Sequence, residues 1–121
     1  MTEQQTSEVV VVDDDEAVLE SFRFMLELAG FRVATYASAT AFLEHHDRRP
    51  LCLILDQHMP AMTGLDLIAR LRADRIDFPV MLITSAPSPA IVARAVEIGI
   101  ERVLEKPASE ADLIHFVTAC Q

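Results

Sequence analysis

The chain of 121 residues is 51% hydrophobic and 24% charged, a length and balance that fit one compact domain with its own core and leave little room for a second. Ten lysines and arginines stand against nineteen aspartates and glutamates, giving a net charge of -9. A surface that acidic repels phosphate backbones and anionic lipid, which argues against direct binding of nucleic acid or membrane by this chain and points to a protein or a cation as partner.

The opening MTEQQTSE is polar, with neither a basic flank nor the apolar stretch of a signal peptide, and no apolar run approaches membrane-spanning length. Residues 1–8 therefore read as a polar extension, residues 9–121 as the domain, and the location as cytoplasmic. Val9 to Val12 is the first predicted strand. Val18, Phe22, Met25 and Ala29 follow at steps of four, three and four, one stripe of an amphipathic helix that Gly30 can end. Arg32 to Tyr36 alternates as a second strand, and Ser38 can cap a helix running to about His45. Leu51 to Leu55 is a third strand; after the turn PAMTG, Leu65, Ile68 and Leu71 line a third helix. Val80 to Ile83 is a fourth strand, and Ser88 followed by Pro89 is a cap with proline at the first helical position. That helix ends at Gly99, Val103 and Leu104 centre a short fifth strand, and Ser109 with Asp112 opens a last helix ending near Cys120. Strands alternating with helices in this way indicate an open, doubly wound, five-stranded parallel α/β sheet with five helices. Cys52 lies in an apolar run and Cys120 near the end, no spacing for a metal site or disulfide framework, so both read as free thiols.

Two apolar runs end in acid: VVVV in Asp13, Asp14 and Asp15, and LCLIL in Asp56. In a parallel sheet the ligand crevice lies beyond the carboxyl ends of the strands, so both runs deliver carboxylates to one edge. Like charges that close raise one another's pKa unless a cation intervenes, and magnesium is commonly held by one or two carboxylates together with phosphate oxygens and water. Aspartates after strands are also common helix N-caps, a role that suits DDDE before a helix. Asp56 fits that role less well, because QHMPAMTG follows it, with Pro60 and Gly64 shaping a loop. Lys106 is the only lysine, against nine arginines. A stray surface charge is one explanation, but it stands directly after a strand, aimed at the same edge, where an ammonium can neutralise a phosphoryl oxygen. Thr84, closing the fourth strand, can donate its hydroxyl to such an oxygen.

In this order and spacing, VVVVDDD, LDQHMPAMTG, LITS and LEKP resemble the receiver domain of two-component response regulators, from about Val9 to Cys120. The stretch FRFMLELAGFRVATYASATAFL resembles the FixJ-like branch. The resemblance implies a flavodoxin-like receiver fold with Asp56 as phosphoacceptor. It also implies Mg2+ bound by Asp13, Asp14, Asp56 and the backbone carbonyl of His58, with Thr84 as switch hydroxyl and Lys106 as the lysine, whose bond to Pro107 is usually cis in the family. Asp15 is left as a helix cap. A sensor histidine kinase is the implied phosphoryl source. The implied product is a signal rather than a released metabolite: a phosphoacceptor with self-catalysed transfer and slow autodephosphorylation, not a turnover enzyme. FixJ-like regulators usually continue into a helix-turn-helix domain, which implies transcription regulation. In the family, the residues two beyond the acceptor and two beyond the hydroxyl, here His58 and Ala86, tune hydrolysis.

The chain departs from the family at Val103, where an aromatic residue usually swings inward on activation, and in the two prolines of SAPSP after Thr84. Two other functions compete. A pseudo-receiver would act only as an interaction module, and a magnesium-dependent aspartyl phosphohydrolase would use Asp13 and Asp15 as its pair. On the fourth helix Ile91, Ala95 and Ile98 form one apolar stripe, with Val92, Val96 and Gly99 beside it. A helix on a sheet needs one such stripe, so the second marks the face of the fourth helix, fifth strand and fifth helix as a contact surface, for which a phosphorylation-dependent homodimer is the expected use.

Overall fold

The computed structural model describes residues 8–45 and 49–121. Most of the proposed N-terminal extension lies outside them. Ten elements alternate in chain order: β1 (Glu8–Val12), α1 (Glu16–Leu28), β2 (Arg32–Tyr36), α2 (Ala39–His45), β3 (Cys52–Asp56), α3 (Gly64–Ala73), β4 (Val80–Thr84), α4 (Pro89–Glu97), β5 (Arg102–Glu105) and α5 (Glu110–Cys120). The five strands form one parallel sheet in the order β2-β1-β3-β4-β5, the doubly wound α/β architecture expected from the sequence.

Strand alternation divides the core in two. Val10, Val12, Leu53, Leu55, Val80 and Leu82 face one way, onto Ala39 and Phe42 of α2, Leu67, Ile68 and Leu71 of α3, and Ala95 of α4. Val9, Val11, Cys52, Ile54, Met81 and Ile83 face the other, onto Leu19, Phe22 and Leu26 of α1 and Leu113, Phe116 and Val117 of α5. The three central strands are covered on both faces, which is why they read as unbroken apolar runs. The edge strands β2 and β5 are only partly buried and begin with arginine.

Several boundaries move. β1 begins at Glu8, and β3 is shifted one residue, so that Asp56 is its last member rather than the residue after it; Thr84 likewise belongs to β4. The expected stripe of α1 is rotated by one residue: Leu19, Phe22 and Leu26 are buried, Val18 and Met25 flank them, and Ala29 is an exposed C-cap. The two stripes share Phe22 and their centres lie about 60° apart around the helix, and the leucines, larger than Val18 and Ala29, take the sheet side. Gly64 is the first residue of α3 and not part of a loop. A Cβ there would lie 2.7 Å from both the Asp56 carbonyl oxygen and Leu82 Cδ1, so the glycine permits a close approach of helix to strand. Gly30 and Gly99 follow the ends of α1 and α4 with φ of 100° and 77°, as helix terminators do.

Candidate functional site

After β1 the chain runs outward to the edge strand β2 and then returns to the other side of β1 as β3. That reversal opens a crevice at the carboxyl ends of β1 and β3. Asp13 follows β1 immediately and Asp56 closes β3. Register carries the edge across the sheet: Asp56 is paired with Ile83, one residue before Thr84, and Thr84 with Glu105, one residue before Lys106. The backbone N–H of Lys106 donates to the Thr84 carbonyl (2.9 Å). Asp13, Asp56, Thr84 and Lys106, from four segments, thus arrive at one place, with Asp14 next to Asp13.

Within DDD each aspartate has its own position. Asp13 is buried, and its Oδ1 accepts the backbone N–H of Asp15 (2.9 Å). Asp14 is exposed at the mouth. Asp15 caps α1, its Oδ1 accepting the Ala17 N–H at 2.9 Å, as expected for the extra carboxylate. One oxygen each from Asp13, Asp14 and Asp56 lies within 4.8 Å of the others. Lys106 Nζ stands 3.0 Å from Asp56 Oδ1 and 3.8 Å from Asp13 Oδ2. Among the described residues that ammonium is the one polar partner of the buried Asp56 Oδ1, which accepts no other hydrogen bond from them.

The charges do not balance. Burial, with the Asp56 charge nearby, pushes the Asp13 carboxyl up to about 6, against the Asp15 N–H and the Lys106 charge that pull it down. Burial works against the Lys106 ammonium, but its bond to Asp56 and the surrounding carboxylate charge outweigh it and raise its pKa. Three carboxylates facing one ammonium leave an excess of negative charge around an under-bonded buried oxygen. Hard oxygen donors, buried on one side and open at Asp14, match the demands of a small divalent cation that keeps part of its water.

Thr84 is fully buried, and its hydroxyl oxygen accepts the Ala86 N–H (3.2 Å) and lies 2.9 Å from Nε2 of His58. No sequence pattern signals this side-chain contact of His58. Nor does any pattern mark Gln57, which is buried and ties the loop after β3 to α3. Its N–H donates to the Ile83 carbonyl (2.9 Å), its carbonyl accepts the Gly64 N–H (3.1 Å) and its Oε1 accepts the Leu65 N–H (2.8 Å). The bond between Lys106 and Pro107 is cis. Val103 lies half-buried on β5, packed against the core.

Residues 9–118 match the response regulator receiver domain family. The chain is 37% identical over 114 residues to the transcriptional regulatory protein FixJ of Azorhizobium caulinodans, covering 92% of this chain and 53% of that protein. It is 36% identical over 111 residues to the response regulator protein TmoT of Ectopseudomonas mendocina, covering 91% and 50%. The chain therefore spans about half the length of these curated relatives. The crystal structure of FixJ-N superposes with a TM-score of 0.84 at 32% identity, covering 96% of this chain and 94% of that one. With the match running almost end to end and an acidic cleft at the switch point of the sheet, this chain belongs to the response regulator receiver domain family.

Proposed function

We propose that Asp56 is the phosphoacceptor of a two-component response regulator, receiving its phosphoryl group from the phosphohistidine of a sensor histidine kinase or from a small phosphodonor. The observation that carries this reading is the buried Asp56 carboxylate, whose one polar partner at Oδ1 among the described residues is the Lys106 ammonium, set in an acidic cluster open on the Asp14 side. A carboxylate oxygen of Asp56 attacks phosphorus, an acyl-phosphate O–P bond forms, and the P–N bond of the donor breaks as the imidazole leaves. Lys106 neutralises a phosphoryl oxygen and the Thr84 hydroxyl donates to another, so the chain's part in self-catalysed transfer is positioning and electrostatics. Asp13, Asp14, Asp56 and the His58 backbone carbonyl are the residues that would hold Mg2+, which when bound supplies countercharge to the transferring group.

The receiver unit is taken as residues 9–121 of a cytoplasmic regulator of transcription, with the preceding polar residues as an extension. Among the described residues no helix is long and apolar enough to cross a membrane. The two competing functions lose support at particular atoms. A phosphohydrolase pair would need Asp15, which is engaged as the cap of α1. A pseudo-receiver has no need of a buried, under-bonded carboxylate beside a lysine.

The test is intact mass after incubation with acetyl phosphate and Mg2+. We expect a gain of one phosphate that is lost in Asp56→Asn and in excess chelator. A phosphate that survives either change would remove Asp56 or the cation from the reading, and catalytic turnover of a generic phosphate ester would favour the hydrolase.

A further inference from the structure

A threonine hydroxyl has one proton to give and two lone pairs to receive with. In this structure the Thr84 oxygen already accepts the Ala86 N–H at 3.2 Å, and Nε2 of His58 stands 2.9 Å away. The His58 nitrogen either takes the hydroxyl proton or fills the second lone pair, according to its tautomer. Three directions meet two partners, so one stays open: with Nε2 as acceptor the proton is held and a lone pair is left, whereas with Nε2 as donor the proton itself is left. The contact bridges separate segments, since His58 comes from the loop after β3 and Thr84 ends β4, and the two residues border the cleft that holds Asp56. Thr84 is fully buried while His58 is exposed, so one partner is fixed and the other is free to swing away.

We propose that the His58 ring, with Nε2 unprotonated, is a latch on the Thr84 hydroxyl: it takes the hydroxyl proton in the resting state, and a phosphoryl group on Asp56 gains that proton only by displacing the ring. This rests on Asp56 being the phosphoacceptor. His58 is then a positioning residue that opposes the switched state, separate from any effect on hydrolysis. A ligand shifts a two-state equilibrium by its differential contacts alone, and a hydrogen bond made only in the resting state subtracts from them. The latch also bears on Val103. With no aromatic side chain on β5 to report movement of Thr84, its contact across the cleft passes the movement to the acceptor loop instead.

Beryllofluoride with Mg2+, a mimic of the phosphoryl group, gives the measurement. By calorimetry His58→Ala should bind it about fivefold more tightly than the unaltered chain, the size expected for loss of one neutral hydrogen bond. His58→Gln, which keeps a polar atom within reach, should fall between. In a Thr84→Val background, which keeps the shape and removes the hydroxyl, His58→Ala should change nothing. Unchanged or weaker binding by His58→Ala, or an equal gain in the Thr84→Val background, overturns the latch. The bond itself is read without ligand, from the nitrogen resonances of the His58 ring. Thr84→Val must move the Nε2 signal, and an unmoved signal overturns the latch even if beryllofluoride binds. Failure of the unaltered chain to take up beryllofluoride strikes instead at the phosphoacceptor reading and at the competition built on it.

Discussion

Asp13 and Asp56 are two buried carboxylates sharing one ammonium, and the cost of that arrangement falls on Asp13. Burial raises its carboxyl from the ordinary 3.8 to about 6, so between those values the folded chain keeps a proton that the unfolded chain has released. The contribution of this group to the stability of the metal-free protein is therefore greatest at low pH and declines as pH rises through about 6. Asp13→Asn should remove that decline in denaturant titrations, and a decline of the same size in the variant would place its cause elsewhere. A divalent cation competes with the same proton, so Mg2+ affinity should fall as pH drops through the same region; affinity that is flat there would count against Asp13 as a ligand. The positions of Asp13, Asp14, Asp56, Thr84 and Lys106 were legible because each follows or closes an apolar run, and parallel strands deliver such residues to one edge. Their different burial was not legible. Three consecutive aspartates look alike in sequence, yet one enters the cleft, one faces water and one caps a helix. The bond between His58 and Thr84 crosses 26 residues, and a side-chain contact at that separation leaves no periodicity to read.

At the scale of elements, local signals located every strand and helix, and packing decided their ends and faces. Ser88 and Ser109 cap α4 and α5, accepting the N–H groups of Ile91 and Asp112, because a hydroxyl before a helix serves the same unpaired donors wherever it occurs. The start of α3 was missed. Thr63 and Asp66 form a reciprocal capping box, but Gly64 drew attention as a breaker. Its actual constraint is the 2.7 Å that a Cβ would leave to the Asp56 carbonyl. Gly64→Ala should therefore cost about 1–3 kcal/mol in urea unfolding, the range for overpacking, and should slow labelling of Asp56 by acetyl phosphate, since backbone carbonyl yields less readily than the Leu82 side chain. Full stability with a full labelling rate would show that the helix shifts at no cost. Arg72 was also invisible in sequence as anything but charge. It donates from Nε to the Ile98 carbonyl (2.9 Å), from Nη1 to Ile76 (3.2 Å) and from Nη2 to Gly99 (3.2 Å) and Phe78 (3.3 Å). It thereby ties the loop before β4 to the end of α4, a role that depends on two loops meeting in space.

For the whole molecule, the surface left over after the core and cleft are built bears on partners. A tilted α4 burying both of its apolar stripes would have left nothing to explain. Instead Ala95 is buried and Ile91 and Ile98 pack against the core, while Val92 is 43% and Val96 73% exposed. Arg94 and Glu97 pair with each other at 3.5 Å and leave the valines uncovered. An acidic chain with a net charge of -9 resists self-association in general, so a dimer requires a local apolar surface of this kind. Receivers resembling this one often dimerise through α4, β5 and α5, and the expected outcome is a dimer that tightens when beryllofluoride and Mg2+ occupy the cleft, read by sedimentation. Because Ile91 packs on the core, altering it would confuse folding with association. Val96→Glu is the informative variant and should leave a folded monomer under both conditions. A second exposed apolar pair, Phe24 at 66% and Leu28 at 74% on α1, belongs to a different helix. Leu28→Glu should leave dimerisation intact. If Leu28→Glu abolishes the dimer and Val96→Glu does not, α1 is the self-association face; a monomer at high concentration with beryllofluoride bound removes the dimer altogether and leaves the exposed valines of α4 to another protein.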